Sequence, residues 1–279
     1  EGVFKMVSGS TQLIVTVNMS PVEPGNDLAK SIFKPNDYCI LTSATLRTNL
    51  SFDYFLNRVG LNSFEFDDIS SKVFESPFSY SDQVTYYQYS GNDGQRPDII
   101  AKTILHCHKK FNKRMMVLFT SRAQLDNTHQ MLKQISRSEH LPIFAQKRQT
   151  SRLGLIRGMG QVSNGILLGT NAFWEGVDLP GDLLEILIII KMPFDVPTEP
   201  TVKAYGSMIE SQGGNSFMDY ALPESVIRFR QGFGRLIRTQ YDDGIFIVMD
   251  DRIINKRYGI AFSETIPVQM QVFQRFNDI

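Results

Sequence analysis

The stretch LLEILIII, residues 183–190, is the longest apolar run in the chain, broken only by Glu185. It is far shorter than the roughly 20 residues a helix needs to span a bilayer. A short continuous run of this kind reads as a strand buried on both faces, not as one half-exposed strand of a meander. Similar runs recur at 38–42, 116–120, 143–145, 165–169 and 245–249, and longer segments of helical character, 122–136 and 225–238, lie between them. Continuous strands alternating with helices predict a parallel sheet covered on both faces. We expect a three-layer α/β domain from about residue 80 to the end.

The first part of the chain reads differently. Apolar residues at 4–7 and 13–17 flank the turn-like SGST and predict an antiparallel hairpin. A turn-rich SPVEPGND, a short helix, and the YCILTSATL strand with its loop follow. Residues 51–79 are rich in Phe, Ser and Asp without a clear period and read as a linker or irregular insertion.

Composition narrows the function classes. With 279 residues, 42% apolar and 21% charged, the chain has material for a large core in one or two domains. Lys plus Arg equals Asp plus Glu at 29 each, so any basic surface must be local. The two cysteines, Cys39 and Cys107, are too few for a disulfide framework or a four-cysteine metal site, and read as buried free thiols in a reducing compartment. No membrane span or secretory leader is expected, which points to a cytoplasmic protein. The four histidines are scattered without metal-ligand company, and no metal site is expected. The opening Glu1 suggests a piece of something longer.

The residues with chemistry follow the strands, because an open parallel sheet binds its ligands beyond the carboxyl ends of its strands. Ser43-Ala44-Thr45 follow 38–42, where an ordinary hydroxyl turn is the alternative to a contact across a domain junction. Ser121-Arg122 open a helix, where free amides and an arginine suit a backbone phosphate as well as a simple cap. Thr170 and Asn171 end the strand 165–169 as candidate phosphate contacts. Glu175, Gly176 and Asp178 form an acidic turn able to orient an arginine or meet a ribose hydroxyl. Trp174 is a wedge of core or a base-stacking platform.

RFRQGFGRLIRTQYDDG, residues 228–244, carries the sharpest signal. On a helix of roughly 100° per residue, Arg235 falls about 40° and Arg238 about 20° to either side of Gln231. Val226, Phe229, Phe233 and Leu236 fall opposite. The helix would bury one face and present its cations off the other, away from carboxylates, and guanidinium forks suit a transferred phosphoryl group. A solvated basic face is the bland alternative. Gly232 and Gly234, each costing about 1 kcal/mol in a helix, favour close approach of a backbone or ligand.

Taken in order, TSATL (42–46), VLFTSRAQL (117–125), LLGTNAFWEGVDLPGDLLEILIIIKMPF (167–194) and RFRQGFGRLIRTQYDDGIFIVMDDR (228–252) resemble motifs III, IV, V and VI of superfamily 2 helicases, most closely the DinG family, relatives of the XPD helicases. The resemblance implies two RecA-like motor domains that sandwich ATP and travel along single-stranded DNA. It assigns residues 1–50 to a returning tail of the first motor domain, with Ser43 and Thr45 in motif III coupling the domains. Residues 80–279 become the second domain.

By similarity, Gln231, Arg235 and Arg238 face the nucleotide, and Arg238 is the arginine finger. Glu175, Gly176 and Asp178 match the turn that couples ATP to DNA, and Ser121, Arg122, Thr170 and Asn171 belong to the strand-binding track. No GxxxxGK[ST] loop or DEAH-type box occurs, so ATP and Mg2+ would be held mainly by the N-terminal motor domain, and this portion alone is expected to be inactive. An iron–sulfur cluster, where family members have one, lies upstream. Some relatives also carry a 3′–5′ exonuclease domain. The alternative reading is a non-unwinding module that binds single strands or nucleotide and regulates such a nuclease.

Overall fold

The computed structural model describes residues 5–8, 13–16, 19–48, 50–65, 68–136, 140–147, 149–170, 173 and 183–279, the first two segments as backbone only. The chain begins with β1 (Lys5–Ser8), β2 (Leu13–Thr16), α1 (Gly25–Leu28), α2 (Asp53–Arg58) and α3 (Tyr80–Gln83). It continues through β3 (Val84–Tyr89), α4 (Pro97–Phe111), β4 (Met115–Leu118), α5 (Arg122–Ile135), β5 (Ile143–Ala145), α6 (Arg152–Gly160), β6 (Ile166–Gly169) and β7 (Ile186–Ile189). It closes with α7 (Pro200–Ser211), α8 (Leu222–Phe233), β8 (Gly244–Val248), α9 (Arg252–Asn255), α10 (Ile260–Ser263) and β9 (Met270–Phe273).

Seven of these strands form one sheet in the order β5-β6-β4-β7-β8-β3-β9, parallel throughout. Alternate side chains show why these segments became central strands. Met115 and Val117 of β4 pack with Ile100 and Ile104 of α4 and Leu125 and Leu132 of α5, while Met116 and Leu118 are equally buried on the opposite face. Phe246 of β8 lies on that second face, meeting Phe229 and Phe233 of α8 edge-on at 5.7 and 5.2 Å and Tyr86 of β3 at 5.0 Å. The result is helix, sheet and helix, the expected RecA-like three-layer arrangement. The expected hairpin is present as β1 and β2.

The chain divides into two units, residues 75–193 with 228–279 and residues 1–74 with 194–227. The first unit holds the sheet. Residues 194–227, expected to belong with the sheet, group instead with the first 74. Within that second unit the 51–79 stretch is not wholly irregular, because α2 forms there. Tyr54 donates to Glu224 Oε1 at 2.5 Å, Arg58 lies 3.7 Å from the same carboxylate, and its guanidinium stacks 4.4 Å above the Tyr205 ring. Burial, and next the Glu224 charge, push the Tyr54 hydroxyl far above its ordinary value. Gly60 adopts a left-handed φ of 79° and touches Gly25 so closely that a Cβ would lie 2.1 Å from the Gly25 carbonyl oxygen.

Other expectations fail for identifiable reasons. No strand forms at 38–42, and Tyr38 and Ile40 are 94% and 92% exposed. An apolar run becomes a strand only where another strand offers backbone partners. Cys39 is exposed with it, and only Cys107 is a buried thiol. The helix expected over 225–238 begins at Leu222 and stops at Phe233. Beyond it the amides of Arg235 and Leu236 bond three residues back, to Gly232 and Phe233 at 3.2 and 3.0 Å, so the chain tightens and turns. Leu236 then seats against Gly244, where a Cβ would come within 2.4 Å of it.

Candidate functional site

The carboxyl ends of the parallel strands share one edge of the sheet, and three candidate residues meet there. Ser121 follows β4 and caps α5 by accepting from the Gln124 amide at 3.4 Å. Arg122, the first residue of α5, donates through a guanidinium nitrogen to the Gln146 carbonyl. Thr170 follows β6, and both its amide and its hydroxyl donate to Gln146 Oε1, at 2.8 and 2.9 Å. Gln146 is itself fixed by continuation of the β5–β6 ladder, its amide donating to Leu168 at 2.9 Å. One glutamine, unnoticed in the sequence, therefore joins two of the expected nucleic-acid contacts. Its place directly after a strand was the signal that would have found it.

Further along this edge, after β7 and β8, lies a polar network that sequence reasoning also missed. Asp250 is fully buried and accepts from the Met192 amide at 2.9 Å and from Arg252 Nε and Nη2 at 2.9 and 2.6 Å. Its carbonyl takes the Gln88 side-chain amide at 2.9 Å, and Gln88 in turn accepts from the Tyr86 hydroxyl at 2.9 Å. Arginine and main-chain donors satisfy the carboxylate on both oxygens, as a buried charge requires. Burial raises the Tyr86 hydroxyl above its ordinary range.

The motif VI residues lie elsewhere. Since α8 ends at Phe233, Gln231 is helical but Arg235 and Arg238 are not, and the common helix face expected for the three does not form. Arg235 is buried and Arg238 exposed. The apolar reverse holds, with Val226, Phe229, Phe233 and Leu236 all buried. A Cβ on Gly234 would meet the Arg230 carbonyl at an ordinary 3.4 Å, so packing among the described residues does not demand that glycine.

A carboxylate does accompany this segment. Asp242 accepts from the amides of Arg238 and Thr239, both at 2.8 Å, and from the Thr239 hydroxyl at 2.8 Å. Burial raises the Asp242 carboxyl, but these hydrogen bonds and the Arg238 charge outweigh it and leave the group below its ordinary value. Gln83, immediately before β3, donates to the carbonyls of Thr239 and Asp242 at 3.0 and 2.9 Å. Residues 239–242 precede β8, the parallel neighbour of β3, so this segment lies at the amino edge of the sheet. The expected strand contacts and the tail of motif VI thus occupy opposite edges.

Ser43 and Thr45 fall in the other unit and form the simple hydroxyl turn, the Thr45 amide donating to Ser43 Oγ at 3.2 Å. Asn171, Trp174, Glu175, Gly176 and Asp178 lie outside the described residues. Among the described residues no three His, Cys, Asp or Glu side chains converge as metal ligands, and no helix is long and apolar enough to cross a membrane.

This parallel three-layer sheet, with polar groups on both of its edges, is a helicase motor fold, and residues 104–269 match the family of the helicase C-terminal domain. The chain belongs to that family, and the proteins it resembles include DinG proteins. It is 36% identical over 261 residues to the "3'-5' exonuclease DinG" of Bacillus subtilis, covering 91% of this chain and 28% of that protein. It is 34% identical over 265 residues to the "ATP-dependent DNA helicase DinG" of Photobacterium profundum, covering 92% and 38%. The chain therefore spans well under half the length of these relatives. Among solved structures, an XPD helicase superposes with a TM-score of 0.51 at 15% identity, covering 68% of this chain and 36% of that one. S. tokodaii Xpd4 gives 0.51 at 12% identity, covering 98% and 62%, and both show likeness of fold.

Proposed function

We propose that the chain is the second motor domain of a DinG-type ATP-dependent DNA helicase, or of an ATPase stimulated by single-stranded DNA. It would supply the arginine finger and part of the strand track. The observation that carries this reading is the setting of Arg238. Its main chain is clamped by Asp242, itself tied through Gln83 to the sheet, while its side chain reaches solvent. An arginine finger needs this combination of a rigid root and an exposed tip, because it acts by stabilising charge that develops during phosphoryl transfer. Arg235 and Gln231 would complete the nucleotide-facing set.

At the opposite edge, Ser121, Arg122, Thr170 and Asn171 would hold the sugar–phosphate backbone, giving sequence-tolerant and salt-sensitive binding. Glu175, Gly176 and Asp178 would couple the two edges. ATP is the substrate, and Mg2+ would be held mainly by the N-terminal motor domain, whose phosphate loop this chain lacks. Residues 1–50 would be the returning tail of that domain, with Ser43 and Thr45 at the coupling position. The exposed run 38–42 supports this, being a strand by composition that joins no sheet among the described residues. An attached 3′–5′ exonuclease, as the name of the B. subtilis relative suggests, is a further expected partner.

The test is Arg238→Ala in the full-length protein. ATP turnover should fall by on the order of 10³ or more, while affinity for single-stranded DNA stays within a few-fold. Loss of folding or of DNA binding would instead give Arg238 a structural role and remove the main support for the reading.

A further inference from the structure

Outside edge strand β5 lies a pocket of about 620 Å3 that none of the motifs accounts for. On the side of α5 its floor is apolar, made by Leu141 and Ile143. Its rim carries Lys133, Lys147, His129 and His140, and among the described residues no carboxylate lines it. Among those residues the rim is unbalanced in charge. Burial first, and then the charges of Lys133 and Lys147, hold His129 below the ordinary imidazole range, against a smaller opposing pull from Asp126. Cations gathered around an apolar floor repel one another in the empty protein and are relieved by an anion with a flat, apolar part.

We propose that this pocket seats one nucleotide of a bound single strand, its phosphate held by Lys133 and Lys147 and its base laid on the apolar floor. The inference rests on the reading of the carboxyl edge as a strand track, and it adds to that track a subsite of its own. Continuity carries the choice of ligand. Lys147 directly follows Gln146, the residue that joins Arg122 to Thr170, so a strand leaving those contacts meets the rim within one residue. Openness carries it too. Lys133, His140, Lys147 and Thr150 are exposed, which suits a chain that must enter and leave, whereas a free nucleotide needs most of its surface enclosed.

The experiment compares three forms of the full chain, namely the unmodified protein, the double variant Lys133→Gln/Lys147→Gln, and Arg122→Gln. Each is titrated with a fluorescein-labelled oligothymidylate at several salt concentrations. Both lysines are exposed, and an unchanged urea midpoint verifies that the double variant folds. The double variant should bind about tenfold more weakly at low salt, and its dependence of log K on log salt should be shallower by about 0.7, the value for one lost phosphate contact on a single strand. If Arg122→Gln weakens binding and the double variant does not, the subsite is refuted and the track stands. If neither changes binding, or the unmodified chain binds no oligonucleotide, the track fails and the subsite with it. Thymidine monophosphate shifting the His129 and His140 ring signals as effectively as the oligonucleotide would overturn the strand in favour of a free nucleotide.

Discussion

YCILTS at 38–43 and MVLFTS at 116–121 are near matches in composition and end alike in Thr-Ser. Met116, Val117, Leu118 and Phe119 are completely buried, while Tyr38 and Ile40 stand almost wholly in solvent. The two runs carry the same local instruction. What differs is the company: β4 has β6 and β7 on either side and helices on its faces, whereas 38–42 joins no strand. Burial in this chain is conferred by neighbours, and apolarity is only the qualification for it.

Substitution gives the strongest way to break that contrast. Val117→Asp places an unpaired carboxylate in the core and should cost more than about 4 kcal/mol, enough to abolish the urea transition. Ile40→Asp should leave the midpoint within about 0.5 kcal/mol. A costly Ile40→Asp would mean the segment is covered after all. On the proposed reading of residues 1–50 as the tail of a preceding motor domain, the same change should become expensive in a protein that includes that domain.

Asp250 extends the contrast to charge. Asp250→Ala should destabilise by about 3 kcal/mol, because it removes the Arg252 ion pair and leaves the buried Met192 amide without its acceptor. Chemical denaturation measures this, and a loss below about 1 kcal/mol would show that water replaces the network.

Asp242, half-buried at the amino edge, should give the smallest effect. Its folded carboxyl lies below the ordinary value of 3.8. The stability it contributes is therefore present above that pH and lost as pH falls through the folded value. Thermal midpoints of Asp242→Asn should lie slightly below those of the unmodified chain at pH 6 and converge with them in acid, as the carboxyl takes up its proton. A constant gap across the range would show that the hydrogen bonds do not depend on ionisation.

The sheet was legible where its strands are uniformly apolar. Runs at 116–120, 143–145, 165–169, 184–190 and 245–249 each overlap a strand. β3 was not, because VTYYQY mixes polar and aromatic residues, and the buried Gln88 is satisfied by Tyr86 and Tyr89 of its own strand and by Asp250 beyond β8. β9 is a four-residue edge strand with Gln271 and Val272 exposed, too short and too wet to give a pattern. Of the candidate site, the residue types were visible and their grouping was not. Ser121, Arg122 and Thr170 were found from position after a strand, yet the glutamine that gathers Arg122 and Thr170 follows a third strand, β5. The shared helix face assigned to Gln231, Arg235 and Arg238 failed because Leu236 is drawn to Gly244, a contact between residues that a helical wheel treats as unrelated.

The contact between Thr170 and Gln146 has one more consequence. Two donors, the Thr170 amide and hydroxyl, converge on a single neutral oxygen, the posture they would take toward one oxygen of an arriving anion. Under the proposed strand track, Gln146 would act as a placeholder. An incoming group would swap with it, one acceptor for another, and neither donor would stand bare during the exchange, so the barrier to engagement reflects a difference between two hydrogen-bond partners and not the stripping of water from an empty socket.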